Sequence, residues 1–355
     1  MSRKVLILGG TGFIGRRLAQ RLLASGQAQP VVAARHAPVV PAPASGAASP
    51  AARWMRLDTC DEASLEAALR EVDAVVHAVA GNERAITQGA RALARAVRAA
   101  GTRCVIALSS MVVLGEREGQ LDESAEPGPV RGWYARAKQE AEGVWSGLAA
   151  AGTPVAVLRP GCVWGPGCEL WVGRVARWLR SGRLGDLGAQ GDGWTNGVHV
   201  DDVCQAVEAL LAAGFSGAQP GLRHFHLAAP DSPRWNTYFR DIALALQATP
   251  LRRISPARLY AQAWLAGPPL HVAGRLAAWV APQPPGGRWA DLPPPLSPGL
   301  LRLFARQQQL VSARAERELG VRWTPYPVAL HQALVGLDAT AHRSALARNT
   351  GLPIT

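Results

Sequence analysis

A glycine-rich turn between an apolar strand and a helix is the feature that most restricts how this chain can fold. Residues 4–8 form a short apolar run, and Gly9, Gly12 and Gly15 follow it with the spacing G-x-x-G-x-x-G. The segment 13–25 then has the periodicity of an amphipathic helix, and a second apolar run comes after it. Glycines permit a tight turn, and the helix that follows directs its N-terminal amides at a pyrophosphate. The pattern predicts a βαβ dinucleotide-binding unit.

The residue that ends the second apolar run bears on which dinucleotide fits. An acidic residue about twenty positions past the glycines binds the ribose hydroxyls of NAD. This chain carries Arg35 there, and an arginine favours the 2′-phosphate of NADP. NADP is therefore the predicted cofactor. NAD is the alternative, because Arg35 followed by His36 is equally compatible with an ordinary loop.

Tyr134 and Lys138 are the clearest candidates for chemistry, in a chain that has four tyrosines and only one other lysine, Lys4. On a helix predicted over residues 133–150, their spacing of four places both side chains on one face. A free phenol has a pKa near ~10, and a neighbouring ammonium is expected to lower it. Tyr134 would then be a usable acid or base at neutral pH. The spacing alone also fits a surface pair.

Further short motifs follow one another along the chain. They are Leu57-Asp58, Asp73–Ala80, Ser109–Gly115, Tyr134-x-x-x-Lys138, Leu158–Pro166 and Val198–Val203. Together with the glycine turn they cover roughly residues 4–230. Over this length the chain resembles the extended short-chain dehydrogenases/reductases of the NAD-dependent epimerase/dehydratase and 3β-hydroxysteroid dehydrogenase type.

The resemblance implies roles for individual residues. Ser110 would hold the substrate oxygen, Tyr134 would pass the proton, and Lys138 would hold the nicotinamide ribose. Ser109 is a rival to Ser110, which is preferred because it stands five residues before Gly115. The predicted cofactor contacts, from the glycine turn and the resemblance together, are Gly9, Thr11, Gly12, Phe13, Ile14, Gly15, Arg35, Asp58, Val79, Tyr134, Lys138, Pro160 and Val163.

Some of these motif residues also have a purely structural interpretation. Asp58 can cap the helix that begins near Asp61. Asp201 and Asp202 are predicted to cap the helix that follows them. His199 is predicted to be a core or hinge residue. The two aspartates and the histidine are therefore left out of the predicted catalytic set.

Strands and helices alternate from residue 4 to about 160, which predicts an α/β protein with a Rossmann-type, doubly wound parallel sheet. The predicted NAD(P)-binding domain comprises residues 1–165 and 198–228. Residues 166–197 and 229–355 are expected to form a smaller, discontinuous C-terminal substrate-binding cap. A Pro/Ala/Ser-rich loop is predicted over residues 37–52.

Composition restricts the partners and the compartment. The formal net charge is +12, but the arginines are dispersed and no aromatic-basic motif is present, so no nucleic-acid partner is predicted. The five cysteines lack paired metal-ligand spacing, so no metal site is predicted. Free thiols and the absence of an export signal favour the cytoplasm. The resemblance adds a possible homodimer.

Two segments raise the question of larger partners. Arg174, Arg177, Arg180 and Arg183 recur every three residues, and we interpret them as a solvated basic helix face. The alternative is a surface for an anionic carrier such as phosphopantetheine or coenzyme A.

The apolar segment 259–282 is interrupted by prolines and an arginine, so it is predicted to pack as core or lid rather than span a membrane. A peripheral membrane contact is the alternative.

Departures from the family pattern narrow the substrate. Cys162 occupies the position at which nucleotide-sugar enzymes of this family carry a diphosphate-binding asparagine. Met111 and Val112 replace the acid pair of the 4,6-dehydratases, and Leu114 replaces a tyrosine common in sugar epimerases. These differences favour an NAD(P)-dependent oxidoreductase that interconverts a ketone and a secondary alcohol on a steroid-, flavonoid- or acyl-like substrate. The alternatives are a nucleotide-sugar epimerase and a redox-silent NADPH-binding scaffold or sensor.

Overall fold

A computed structural model describes residues 3–35, 52–102, 104–215, 220–266, 296–335 and 337. The strands of the main sheet are β1 (Lys4–Leu8), β2 (Gln29–Ala34), β3 (Arg53–Arg56), β4 (Ala74–His77), β5 (Val105–Leu108), β7 (Pro154–Pro160) and β10 (Gly221–Leu227). They pair in the order β10-β7-β5-β4-β1-β2-β3, and every pairing is parallel. Two small parallel pairs join β6 (Gly119–Leu121) to β11 (Gln308–Leu310) and β8 (Cys162–Trp164) to β9 (Gly197–His199).

Helices cover both faces of the main sheet. The helices are α1 (Phe13–Ser25), α2 (Glu62–Leu69), α3 (Glu83–Ala100), α4 (Trp133–Ala150), α5 (Arg174–Arg180), α6 (Val200–Phe215), α7 (Trp235–Ala245), α8 (Pro256–Tyr260), α9 (Pro298–Ala305) and α10 (Ala313–Leu319), and residues 326–335 are also helical. Successive side chains of a strand point to opposite faces. Val5 and Ile7 therefore pack with α1 and α6, whereas Leu6 and Leu8 pack with α2, α3 and α4. A sheet buried on both faces explains why its strands are almost entirely apolar.

The strand order reverses direction between β1 and β4. Loops that leave the carboxyl ends of these two strands diverge to opposite sides, and ligands of doubly wound sheets bind in the crevice this creates. The predicted Rossmann-type, doubly wound α/β fold is confirmed.

A second hydrophobic core lies beside the sheet and contains many aromatic side chains. Trp178 of α5, Trp235 and Phe239 of α7, and Phe304 of α9 are buried there, and the Trp235 and Phe304 ring centroids are 4.7 Å apart. Not every residue of the predicted cap packs in this second core. Ala315 of α10, placed by that division in the cap, packs in the core between the sheet and α6.

The acid pair at the start of α6 does not cap its own helix. Asp201 accepts two hydrogen bonds from Arg17 of α1, at 2.6 and 2.8 Å, and Asp202 accepts two from Thr324, at 2.9 and 2.7 Å. The predicted capping role is therefore wrong. The two carboxylates tie α6 to α1 and to the chain that follows α10.

Some expectations fall outside the described residues. The predicted loop 37–52 does so apart from residue 52, and so does the part of the apolar segment from residue 267 to 282. Within the described chain, no helix has the length and apolar character needed to cross a membrane.

Candidate active site

A cavity of about 950 Å³ opens at the carboxyl ends of the main strands. Its walls combine the glycine turn after β1 with the segments that follow β2, β3, β4, β5 and β7. All of the predicted site residues line it: Gly9, Thr11, Gly12, Phe13, Ile14, Gly15, Arg35, Asp58, Val79, Ser110, Tyr134, Lys138, Pro160 and Val163. The fold thus brings residues that are distant in sequence to one place.

The glycine turn forms a tight backbone cradle. Gly9 has a φ of +77°, and its carbonyl accepts a hydrogen bond of 2.9 Å from the Gly12 amide. A Cβ at Gly15 would lie 2.4 Å from the Gly9 oxygen, so no larger residue fits there without movement of the backbone. Helix α1 begins without a side-chain cap and without an acidic residue in its first turn. Its free amides and positive dipole end fit a pyrophosphate.

Two charged residues stand at the ends of β2 and β3. Arg35 is exposed on the cavity wall, where its guanidinium is accessible. Asp58 accepts a hydrogen bond of 3.0 Å from the Cys60 amide, and the side chain that caps α2 is that of Asp61. Asp58 therefore does not cap helix α2, which was its alternative structural role.

Ser110 and Tyr134 meet in the cavity. Ser110 follows β5 and accepts a hydrogen bond of 3.4 Å from the Val112 amide, which fixes the start of the 3-10 turn Met111–Leu114. Ser110 and Tyr134 both line the cavity, and the Ser110 hydroxyl acts to lower the pKa of the phenol. Ser109 is buried, and its hydroxyl meets no partner among the described residues. Both serines line the cavity, and Ser110 is the one that acts on the pKa of Tyr134.

Lys138 does not act on Tyr134 as the sequence suggested. Its ammonium donates to the carbonyls of Leu108 and Val79, at 2.7 and 3.1 Å, and lies 5.9 Å from the centre of the tyrosine ring. Burial raises the pKa of Tyr134 above its ordinary value of 10.0, and the Ser110 hydroxyl opposes this rise. The direction is opposite to the lowering expected from Lys138, whose ammonium is held by two carbonyls.

Burial also changes the lysine. It lowers the pKa of Lys138 from 10.5 to about 8, while the nearby Glu142 carboxylate raises it. Glu142 lies one turn further along α4 and forms a buried ion pair with Arg159 of β7, at 3.0 and 2.7 Å. The motif analysis missed Glu142, although the spacing from Tyr134 to Lys138 to Glu142 places the three on one helix face.

The predicted basic face of Arg174, Arg177, Arg180 and Arg183 is not formed. Arg174 lines the cavity, and Arg177 is paired with Glu169. Arg180 ends α5 on the exposed surface, and Arg183 lies beyond the helix.

His199, which was left out of the predicted catalytic set, is a buried structural group. His199 is buried at 1% exposure, and its Nδ1 accepts a hydrogen bond of 3.3 Å from the Asp201 amide. Burial lowers its pKa. In the part of the chain that the structure describes, no cluster of three or more His, Cys, Asp or Glu residues suits a metal ion.

Comparison with protein families gives an assignment. Residues 5–228 match the NAD dependent epimerase/dehydratase family, and because the match covers more than half of the chain, the protein belongs to that family. The resemblance predicted from the motifs is confirmed. Comparison with proteins of curated function gives no significant match.

Solved structures agree on the fold. DesIV, a dTDP-glucose 4,6-dehydratase from Streptomyces venezuelae solved with NAD, is 20% identical, with a TM-score of 0.71 over 96% of this chain and 98% of its own. A putative epimerase from Burkholderia cenocepacia is 21% identical, with a TM-score of 0.68 over 95% and 99%. A UDP-glucose 4-epimerase from Thermotoga maritima is 18% identical, with a TM-score of 0.66 over 95% and 99%. At these identities the likeness concerns the fold.

Proposed function

We propose that this chain is an NAD(P)-dependent oxidoreductase that interconverts a ketone and a secondary alcohol. The observation that carries the proposal is that Ser110, Tyr134 and Lys138 line the same cavity as the glycine cradle. A protein that only bound the dinucleotide would need the cradle but not a serine and a tyrosine in the same cavity.

Each side chain has a role in ketone reduction. The nicotinamide, when bound, supplies the hydride that the carbonyl carbon accepts. Tyr134 carries its proton at neutral pH, since burial raises its pKa further above the ordinary value of 10.0, and this proton can pass to the carbonyl oxygen as the hydride arrives. Ser110 donates a hydrogen bond to the same oxygen and stabilises the developing charge. Lys138, which lines the same cavity, would hold the nicotinamide ribose.

The apolar part of the cavity lining supports a hydrophobic substrate. It includes Met111, Val112, Leu170, Trp171 and Leu303. These side chains match the apolar body of a steroid-, flavonoid- or acyl-like molecule, because such pockets are mostly apolar with a few polar groups that fix orientation.

A nucleotide-sugar epimerase is the second candidate. It is favoured by the nearly full-length likeness to enzymes named as UDP-glucose 4-epimerase and dTDP-glucose 4,6-dehydratase. An epimerase would use the same serine and tyrosine without net consumption of cofactor. Cys162, in place of the amide that holds the diphosphate in such enzymes, counts against it.

One experiment separates the two candidates. Purified protein is incubated with NADPH or NADH and a panel of hydrophobic ketones, and cofactor oxidation is followed by absorbance. In parallel, UDP-glucose and dTDP-glucose are incubated with the protein and the sugars are separated. Oxidation of cofactor by a ketone supports the proposal. Conversion of a nucleotide sugar without net oxidation would replace it with the epimerase, and bound cofactor with neither reaction would indicate a scaffold.

Arg35→Asp is expected to reverse the cofactor preference. Loss of a charged hydrogen bond to the 2′-phosphate costs about 1.5–3 kcal/mol, which is roughly a ten- to hundredfold loss of NADPH affinity. NADH affinity should hold or improve, because an acidic residue binds the ribose hydroxyls. Fluorescence titration measures both constants. Arg56→Asp, an equal charge change at an exposed residue off the cavity wall, is the control. Equal losses in the two variants would make Arg35 an ordinary loop residue.

The alkaline limb of kcat/KM is expected near pH 8. Lys138 loses its proton there in the folded chain but keeps it to about 10.5 when unfolded. Activity should fall above pH 8, because the neutral amine no longer attracts the cofactor.

The contribution of Lys138 to the free energy of unfolding should instead rise from pH 8 to 10.5, since the unfolded state binds more protons there. A pH–rate profile recorded with urea unfolding over the same range tests both; a flat profile through pH 9 contradicts this role.

A further inference from the structure

The guanidinium of Arg174 has no carboxylate partner among the described residues. Arg174, the first residue of α5, is half-buried and lines the cavity wall. None of the described residues accepts a hydrogen bond from its guanidinium, and no described carboxylate lies within 4.0 Å of it. Its Nε is buried without a hydrogen-bond partner.

Two indole rings hold this guanidinium. Its Cζ lies 4.7 Å from the centre of the Trp178 ring and 5.6 Å from the centre of the Trp171 ring. Stacking on indoles restricts the side chain and stabilises its charge, but indoles do not satisfy its N–H donors. The planar set of N–H donors of Arg174 is thus held in one orientation by the two rings.

The nearby acid does not neutralise Arg174. Glu169 is held by Arg177, whose two terminal nitrogens both contact its carboxylate. The carboxylate also fills the space beside Gly173, where an added Cβ would lie 2.3 Å from its oxygen. Glu169 raises the pKa of Arg174 at longer range, whereas burial lowers it. The guanidinium stays charged, because an arginine is not deprotonated in proteins.

An unpaired, partly desolvated cation facing an apolar cavity is unfavourable unless a ligand supplies the counter-charge. We propose that Arg174 binds an oxyanion of the substrate, a carboxylate or a phosphate, in a bidentate manner. The natural substrate would then be an amphipathic carbonyl compound with an acidic group rather than a neutral steroid or flavonoid. This inference rests on the proposed oxidoreductase function for the reaction, but the oxyanion site itself can be tested without turnover.

The binding test uses the NADP-loaded protein and three simple probes: decanoate, decyl phosphate and decanol. Calorimetry is expected to show tighter binding of at least one anionic probe than of decanol. Arg174→Gln should remove about tenfold or more of that preference, as expected for the loss of a charged hydrogen bond. Arg180→Gln, on the exposed end of the same helix, should leave it unchanged. The tighter of decanoate and decyl phosphate identifies the anion.

The kinetic test uses a hydrophobic keto acid and its methyl ester. Arg174→Gln should raise KM for the acid by about tenfold with a smaller change in kcat, and should leave the ester almost unaffected. Equal effects on acid and ester, or no anion preference in the calorimetry, would overturn the inference while ketone turnover still supported the proposed function. Anion binding lost in Arg174→Gln, with no ketone reduced, would keep the site and refute the reaction.

Discussion

Tyr134→Phe is expected to lower kcat by roughly 10²–10⁴-fold, the range that a positioned proton donor contributes. The phenol lines the same cavity as Ser110, and phenylalanine keeps the ring while removing the proton. Cofactor affinity should change little, because the glycine cradle, the N-terminus of α1 and Lys138 are untouched. Steady-state kinetics with the best ketone, together with NADPH titration, measures both quantities.

A matched variant shows whether the loss belongs to the site. Tyr260→Phe removes a phenol that is 51% exposed and does not line the cavity, so its turnover should equal that of the unmodified chain. Full activity of Tyr134→Phe would reject the tyrosine as the proton donor. A parallel loss of NADPH binding would assign it to cofactor affinity instead.

The sequence predicted the fold well where local patterns decide it. Helix α1 spans Phe13–Ser25 and helix α4 spans Trp133–Ala150, both as predicted, because apolar periodicity and bordering glycines mark their ends. The glycine turn predicted a backbone cradle, and Gly15 shows why, since an added Cβ would collide with a backbone oxygen. These features depend on neighbours in sequence.

Features that depend on distant residues were not predicted. The carbonyls that hold Lys138 follow β4 and end β5, and no spacing in sequence brings them to helix α4. The capping role assigned to Asp201 and Asp202 failed for the same reason, since their partners, Arg17 and Thr324, are supplied by other elements.

The three-residue spacing of the arginines from Arg174 to Arg183 led to the wrong prediction of a basic helix face. A helix turns by about 100° per residue, so residues three apart drift by about 60° around the axis. Arg174 and Arg180 therefore diverge by about 120°, which places one in the cavity and the other in solvent. Arginines that recur at this spacing over two turns therefore do not share one face of the helix.

Arg159→Met is expected to lower the free energy of unfolding by about 3–5 kcal/mol, because it leaves the Glu142 carboxylate buried without its counter-charge. The two side chains are 2% and 6% exposed. His224 lies 3.8 Å from the carboxylate, and burial lowers its pKa. Urea denaturation measures the loss. Arg53→Met, which breaks an ion pair 52% exposed on both sides, should cost at most about 1 kcal/mol.

The double variant Glu142→Leu with Arg159→Met shows how much the intact ion pair contributes to the free energy of unfolding. The single variant shows instead the effect of leaving one charge buried alone. Replacement of both charges by apolar side chains is often neutral, so most of the stability lost in Arg159→Met should return. If it does, the pair is dispensable for folding, and its effect on Lys138 becomes testable: without Glu142 the lysine pKa should fall below 8 and the alkaline limb of kcat/KM should move to lower pH. An unchanged limb would show that the two carbonyls alone set the charge of Lys138.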